Sequence, residues 1–168
     1  LAGISPNQTK EYKIKVNVHK HDPDSLRWKY MDKINDQIQI TGEQKSIIFG
    51  SEVFTYSVVN SKLYVYKNSL TNFGNGAPQA TVGLPEDKLP TSIIAFQFNR
   101  SKTMLYATSN GDGKVYESAD GEKWNESTMF GEGVELLLAT LTNNDVSRIC
   151  YIKKGADEQR YFYYQTND

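Results

Sequence analysis

Cys150 is the only cysteine of the chain, and His19 and His21 are its only histidines. A single thiol excludes an internal disulfide and a cysteine-based zinc site. Cys150 stands inside the apolar run Arg148-Ile149-Cys150-Tyr151-Ile152, where a thiol is expected to be buried and inert. The two histidines, two residues apart, have no third ligand near them, so they are read as structural or solvated and no metal site is expected. Asp112, Asp120, Asp145 and Asp157 all stand in turn contexts, where Asp bonds nearby backbone amides. Glycoside hydrolysis would need two carboxyl groups about 5–10 Å apart, one with a raised pKa. Recognition of a carboxylated sugar would add an arginine cluster. The four arginines, Arg27, Arg100, Arg148 and Arg160, stand in turns or at strand starts, away from inner-strand starts that could face a central channel. Gly74-Asn75-Gly76 lacks the helix and Lys of a phosphate loop. No catalytic residue and no cofactor are expected.

The stretch with the clearest local physics is Gly113-Lys114-Val115-Tyr116-Glu117-Ser118-Ala119-Asp120-Gly121-Glu122-Lys123-Trp124. Val115 and Tyr116 favour a strand. Asp120-Gly121 is a turn pair, Gly supplying positive φ and Asp an acceptor for amides two residues on. Ser118 is placed to cap the same turn, and Trp124 brings a large apolar surface whose indole N–H needs a partner. This stretch resembles the Asp-box of sialidase-like propellers, Ser-x-Asp-x-Gly-x-x-Trp, shortened by one residue because Gly follows Asp directly. In that family the box is structural, so Ser118, Asp120, Gly121 and Trp124 are expected to build a turn and not to catalyse.

Weaker copies define a repeat. Asp24 and Trp28 are four residues apart, as are Asp120 and Trp124, and Phe73 closes a third candidate, Ser69-Leu70-Thr71-Asn72-Phe73. Residues 51–66 align without gaps on residues 103–118, which places Phe54 on Tyr106, Leu63 on Val115 and the turn Asn60-Ser61 on Asp112-Gly113. A third copy runs from Arg148 through a turn at Lys154-Gly155-Ala156-Asp157 and rises as Arg160-Tyr161-Phe162-Tyr163-Tyr164. Inner strands are expected at 44–49, 93–98 and 136–141, with turns at 99–102 and 143–145 and inter-repeat loops at 33–42 and 77–90. Repeats of this length indicate four-stranded propeller blades.

The expected fold is therefore all-β: a partial β-propeller of about three four-stranded blades, a fragment of a six- to eight-bladed ring. The repeat units are set at about 28–73, 73–124 and 124–168. Glu11 to Lys20 alternates, Tyr12, Ile14, Val16 and Val18 against Lys13, Lys15, Asn17 and His19, as a half-buried strand does. With the Pro-stiffened segment at 21–25, residues 1–22 are read as the terminal strand and linker of a preceding β-sandwich, and residues 23–168 as the propeller. The absence of an initiator Met leads to the expectation of a processed chain whose leader is gone.

Net charge is −1, which gives no field to attract nucleic acid. No run approaches the roughly 18 apolar residues of a membrane helix. Aromatics make up 12%, with 11 Tyr, a composition suited to exposed sheets whose hydroxyls stay wet. Part of Tyr161 to Tyr164 is expected in the core, packed between blades, because alternate residues of a strand point to opposite faces.

The segment Tyr12 to Trp28, the strand at Gln44-Lys45 and the Ser118–Trp124 turn together resemble a family of secreted proteins of unknown function from anaerobic gut bacteria. Its members look like surface lipoproteins with an N-terminal β-sandwich and a C-terminal propeller. That resemblance implies a cell-surface or periplasmic location and no particular activity. If the source is bacterial, the sequons Asn7-Gln8-Thr9 and Asn125-Glu126-Ser127 carry no meaning. The leading functional expectation is a non-catalytic module that binds glycan or protein. The alternatives are a glycoside hydrolase or sialidase-like enzyme completed by residues outside the chain, and a structural component of an envelope complex. Open blade faces give a further expectation, self-association.

Overall fold

The computed structural model describes residues 43–71, 78–98, 102–143 and 146–166, all within the compact unit Asn35–Asp168. Asp24, Trp28, Phe73, the strand expected at Glu11 to Lys20, His19, His21, Arg27, Arg100 and Asp145 lie outside the described residues, as do turn residues 99–101 and 144–145.

Eleven strands form three antiparallel sheets among the described residues. The first blade is β1 (Gln44–Phe49), β2 (Glu52–Val59), β3 (Lys62–Ser69) and β4 (Pro78–Ala80), paired in that order. The second is β5 (Pro90–Phe98), β6 (Lys102–Ser109), β7 (Val115–Ser118) and β8 (Asn125–Glu126), again in order. The third has β9 (Val134–Asn143), β10 (Val146–Lys154) and β11 (Arg160–Thr166). The described residues thus form an all-β partial propeller.

The hairpins follow from their turn residues. Asn60 and Ser61, with φ of +52° and +60°, join β2 to β3 in a two-residue turn whose twist matches that of the strands. β4 is a strand that the sequence did not show: three exposed residues inside a segment read as loop, held by pairing to Tyr64, Val65 and Tyr66. β4 and β8 are three and two residues long, and such brevity keeps an outer edge from templating aggregation.

Strand alternation gives the middle blade two apolar faces. Leu105, Ala107 and Tyr116 meet Phe54, Tyr56, Leu63 and Val65 of the first blade, with Trp124 and Leu84 closing that layer. Tyr106, Val115 and Phe96 turn the other way, toward Val134, Leu137, Ile149 and Tyr151 of the third blade. Phe130 sits between Tyr106 and Tyr151 edge-on to both, with ring centroids 5.5 and 5.3 Å away. Such edge-to-face pairs add about 0.5–1.5 kcal/mol beyond the area they bury.

The aromatic run of β11 departs from expectation. Tyr161, Phe162, Tyr163 and Tyr164 are all exposed, between 40% and 64%. Tyr161 and Tyr163 share the side of Tyr151, and Tyr163 stacks on that ring at 5.5 Å. Phe162 and Tyr164 point to the opposite side with Ile152 and Cys150. In register Phe162 matches Leu63 and Val115, each about 1% exposed because a neighbouring blade covers it. Period-2 alternation predicts which face a residue takes, whereas burial also requires a sheet stacked on that face.

Candidate functional site

The Asp120 turn joins β7 to β8. Asp120 Oδ1 accepts the amides of Glu122 at 2.9 Å and Lys123 at 2.8 Å, and Ser118 Oγ donates to it at 3.1 Å. Ser118 Oγ in turn accepts the amide of Gly121 at 2.8 Å. Burial pushes the Asp120 carboxyl up, but the two amides and the hydroxyl outweigh it and hold the group below the usual carboxylate range. Gly121 has φ of +77°, and an added Cβ would lie 2.6 Å from the Phe54 ring. The Gly121 carbonyl accepts from Tyr56 Oη of the first blade at 2.6 Å and from Trp124 Nε1 at 3.3 Å. Trp124 is buried edge-on to Tyr56, and its amide donates to Val82 of the inter-blade segment at 2.8 Å. Lys67 of β3 reaches Glu122 at 3.3 Å and Glu52 at 3.1 Å. Every one of these contacts positions chain against chain, so the turn acts as a clasp between the first two blades.

A strand separates its two connections, so the β6–β7 turn lies at the other end of β7 from the clasp. There Asp112 gathers three donors: Ser109 Oγ at 2.5 Å, Tyr116 Oη at 2.8 Å and the Lys114 amide at 3.0 Å. Burial raises the Asp112 carboxyl, and these three bonds overcome that and hold it below the usual range. Tyr116, chiefly by burial and then by its bond to Asp112, has its phenol pushed up to about 12. Asp112 is therefore a fixed anion and Tyr116 a fixed donor at neutral pH.

Beside this turn a cleft of about 710 Å³ opens between the second and third blades. Ser109, Asp112 and Lys114 line one wall, and Glu135, Lys154 and Arg160 the other. Arg160 grips Glu135 with two donors, Nε to Oε2 at 2.5 Å and Nη2 to Oε1 at 3.4 Å. Lys114 pairs with Glu126 at 2.7 Å, and Lys154 with Glu158. Asp157, whose carboxyl is lowered first by the bond from Tyr161 Oη, is likewise a turn anion. The cleft walls thus carry both cations and anions, several of them already paired. Of the carboxylates lining this cleft, Asp112 is held ionised by its three donors. No set of three His, Cys, Asp or Glu side chains that could hold a metal ion occurs among the described residues.

Asp112 and Arg160 were each legible as a turn acid and a strand-start arginine, yet only blade stacking brings their turns to one cleft. The available signal was the repeat itself, which aligns the β2–β3, β6–β7 and β10–β11 turns and so assigns them to one end of the blades. No curated protein and no solved structure matches the chain. Residues 22–168 match the DUF6242 beta propeller domain. On that match, and with three stacked antiparallel blades, the chain belongs to this β-propeller family of unknown function.

Proposed function

We propose that the chain is part of a non-catalytic binding module that takes a polar ligand in the cleft between the second and third blades. The observation that carries this reading is the convergence of Asp112 and Lys114 from one blade with Glu135, Lys154 and Arg160 from the next around a single cleft. Bidentate and charge-assisted bonds of the Arg160–Glu135 kind favour planar, charged or amide-bearing partners. A glycoside hydrolase or sialidase-like enzyme would ask for a carboxyl kept protonated near neutral pH, and Asp112 is tuned the opposite way. Placement outside the cytoplasm, at the cell surface or in the periplasm, rests on the resemblance to secreted proteins.

The test is to present the purified chain to glycan and peptide arrays beside a Lys114→Ala/Arg160→Ala variant, with a parallel incubation on chromogenic glycosides. The expected result is a binder that the variant loses and no glycoside turnover. Silence on both arrays, or turnover abolished by Asp112→Asn, would overturn the reading.

A further inference from the structure

A second cleft, of about 410 Å³, lies beside the first at the same end of the blades. Glu43, Lys45, Asp87 and Lys88 line it, from the start of β1 and the segment leading into β5. The two clefts share two wall residues, Thr91 and Asn110. The shared residues set the two clefts side by side, a path from the first blade to the third with Thr91 and Asn110 as its waist.

The waist is built unusually. Pro90 pairs with Ser109 and Ser92 with Thr108, so Thr91 is the extra residue of a β-bulge. Bulges are enriched next to functional sites because they re-aim a side chain. The Thr91 hydroxyl oxygen is buried and has no hydrogen-bond partner, although its neighbour Ser92 bonds both Thr108 and the Leu137 amide. A buried polar atom left unpaired is costly and calls for an explanation.

The lining gives the chemistry of the occupant. Along the groove there are five acidic and five basic side chains and no aromatic one. A pyranose ring presents an apolar C–H face, and this groove offers no flat apolar platform to cover it. An extended polypeptide presents backbone amides throughout and side chains of both signs, which can exchange with pairs such as Lys45–Glu43 and Arg160–Glu135. We infer that the groove binds an extended peptide segment of mixed charge, laid across both clefts and contacting Thr91 at the waist. This deepens the binding-module reading and rests on it.

The probe is a phage-displayed library of 15-residue peptides selected on the full chain. The best peptide is then synthesised whole and as its two halves. Three variants are compared by fluorescence anisotropy after circular dichroism confirms their fold: Arg160→Ala, Lys45→Ala/Lys88→Ala, and the near-isosteric Thr91→Val. The expected result is interspersed acidic and basic residues in the selected peptides and a roughly tenfold or greater loss with each variant on the whole peptide. One half-peptide should respond to Arg160→Ala alone. Thr91→Val should leave stability equal or higher, a combination that a purely structural threonine would not produce. Loss with Arg160→Ala but none with the other two variants would confine the ligand to one cleft and overturn the groove while leaving the binding module standing. Selection of no peptide together with a glycan-array hit would overturn the ligand class, and no binder of either kind would remove the binding reading itself.

Discussion

Tyr56→Phe isolates the hydrogen bond that ties the first blade to the second. The phenyl ring keeps the edge-on contact with Trp124, whose centroid is 5.9 Å away, and only the hydroxyl is lost. That hydroxyl donates to the Gly121 carbonyl at 2.6 Å in a fully buried setting. The carbonyl keeps its second donor, Trp124 Nε1 at 3.3 Å, so it is not orphaned. The expected loss is therefore the net value of one bond, about 1 kcal/mol. With a urea slope of about 2 kcal/mol/M, the unfolding midpoint should fall by about 0.5 M. Removing both donors in Tyr56→Phe/Trp124→Phe leaves a buried acceptor unpaired. The pair should then be non-additive by roughly 1 kcal/mol or more beyond the two single losses. The sign with pH is also determined. Tyr56 is raised above its ordinary value of 10.0, first by burial and then by Asp120 and Glu122. Its neutral hydroxyl thus contributes in full below pH 10 and progressively less as the pH climbs above it, so wild type and Tyr56→Phe should converge in alkali. Circular dichroism during urea titration, at neutral pH and at alkaline pH, reads all three quantities. Additive losses, or a Tyr56→Phe protein as stable as wild type at neutral pH, would refute the shared-acceptor clasp.

Gly83→Ala should destabilise by about 3 kcal/mol or more, read as a lower melting temperature; its φ is +90° and an added Cβ would meet the Trp124 carbonyl oxygen at 1.8 Å. Asp120→Ala should cost about 1–2 kcal/mol at neutral pH, since an Asp that caps backbone amides is worth about that much. Because Asp120 and Asp112 are lowered from an ordinary 3.8, their stabilisation is complete above that value and fades as pH falls through and below it. The gap between wild type and Asp120→Ala should therefore close in acid, as denaturation curves at stepped pH will show. Phe162→Lys/Tyr164→Lys should reduce concentration-dependent self-association in sedimentation velocity. These two rings are 64% and 62% exposed on the face where the other blades bury Leu63 and Val115, and a wild-type chain that stays monomeric at high concentration would contradict this.

What could be read in the sequence was local or periodic. Strand alternation, the Asn60-Ser61 turn, the Ser118–Trp124 stretch and the gapless match of residues 51–66 to 103–118 depend on nearest neighbours and on a repeat, and both are written in one dimension. They were sufficient for a fold of stacked antiparallel β units. Two things were decided only by tertiary structure. The first is which faces are covered: Phe162 and Val115 occupy the same register, and one is exposed while the other is buried because only Val115 has a blade stacked on it. The second is the groove. Asp112, Arg160, Thr91 and Lys88 each look like an ordinary turn or strand-end residue, and their meeting depends on how three blades stack. Stacking is set by long-range apolar packing of Phe54, Tyr106, Phe130 and Tyr151, an interaction that has no fixed spacing along the chain.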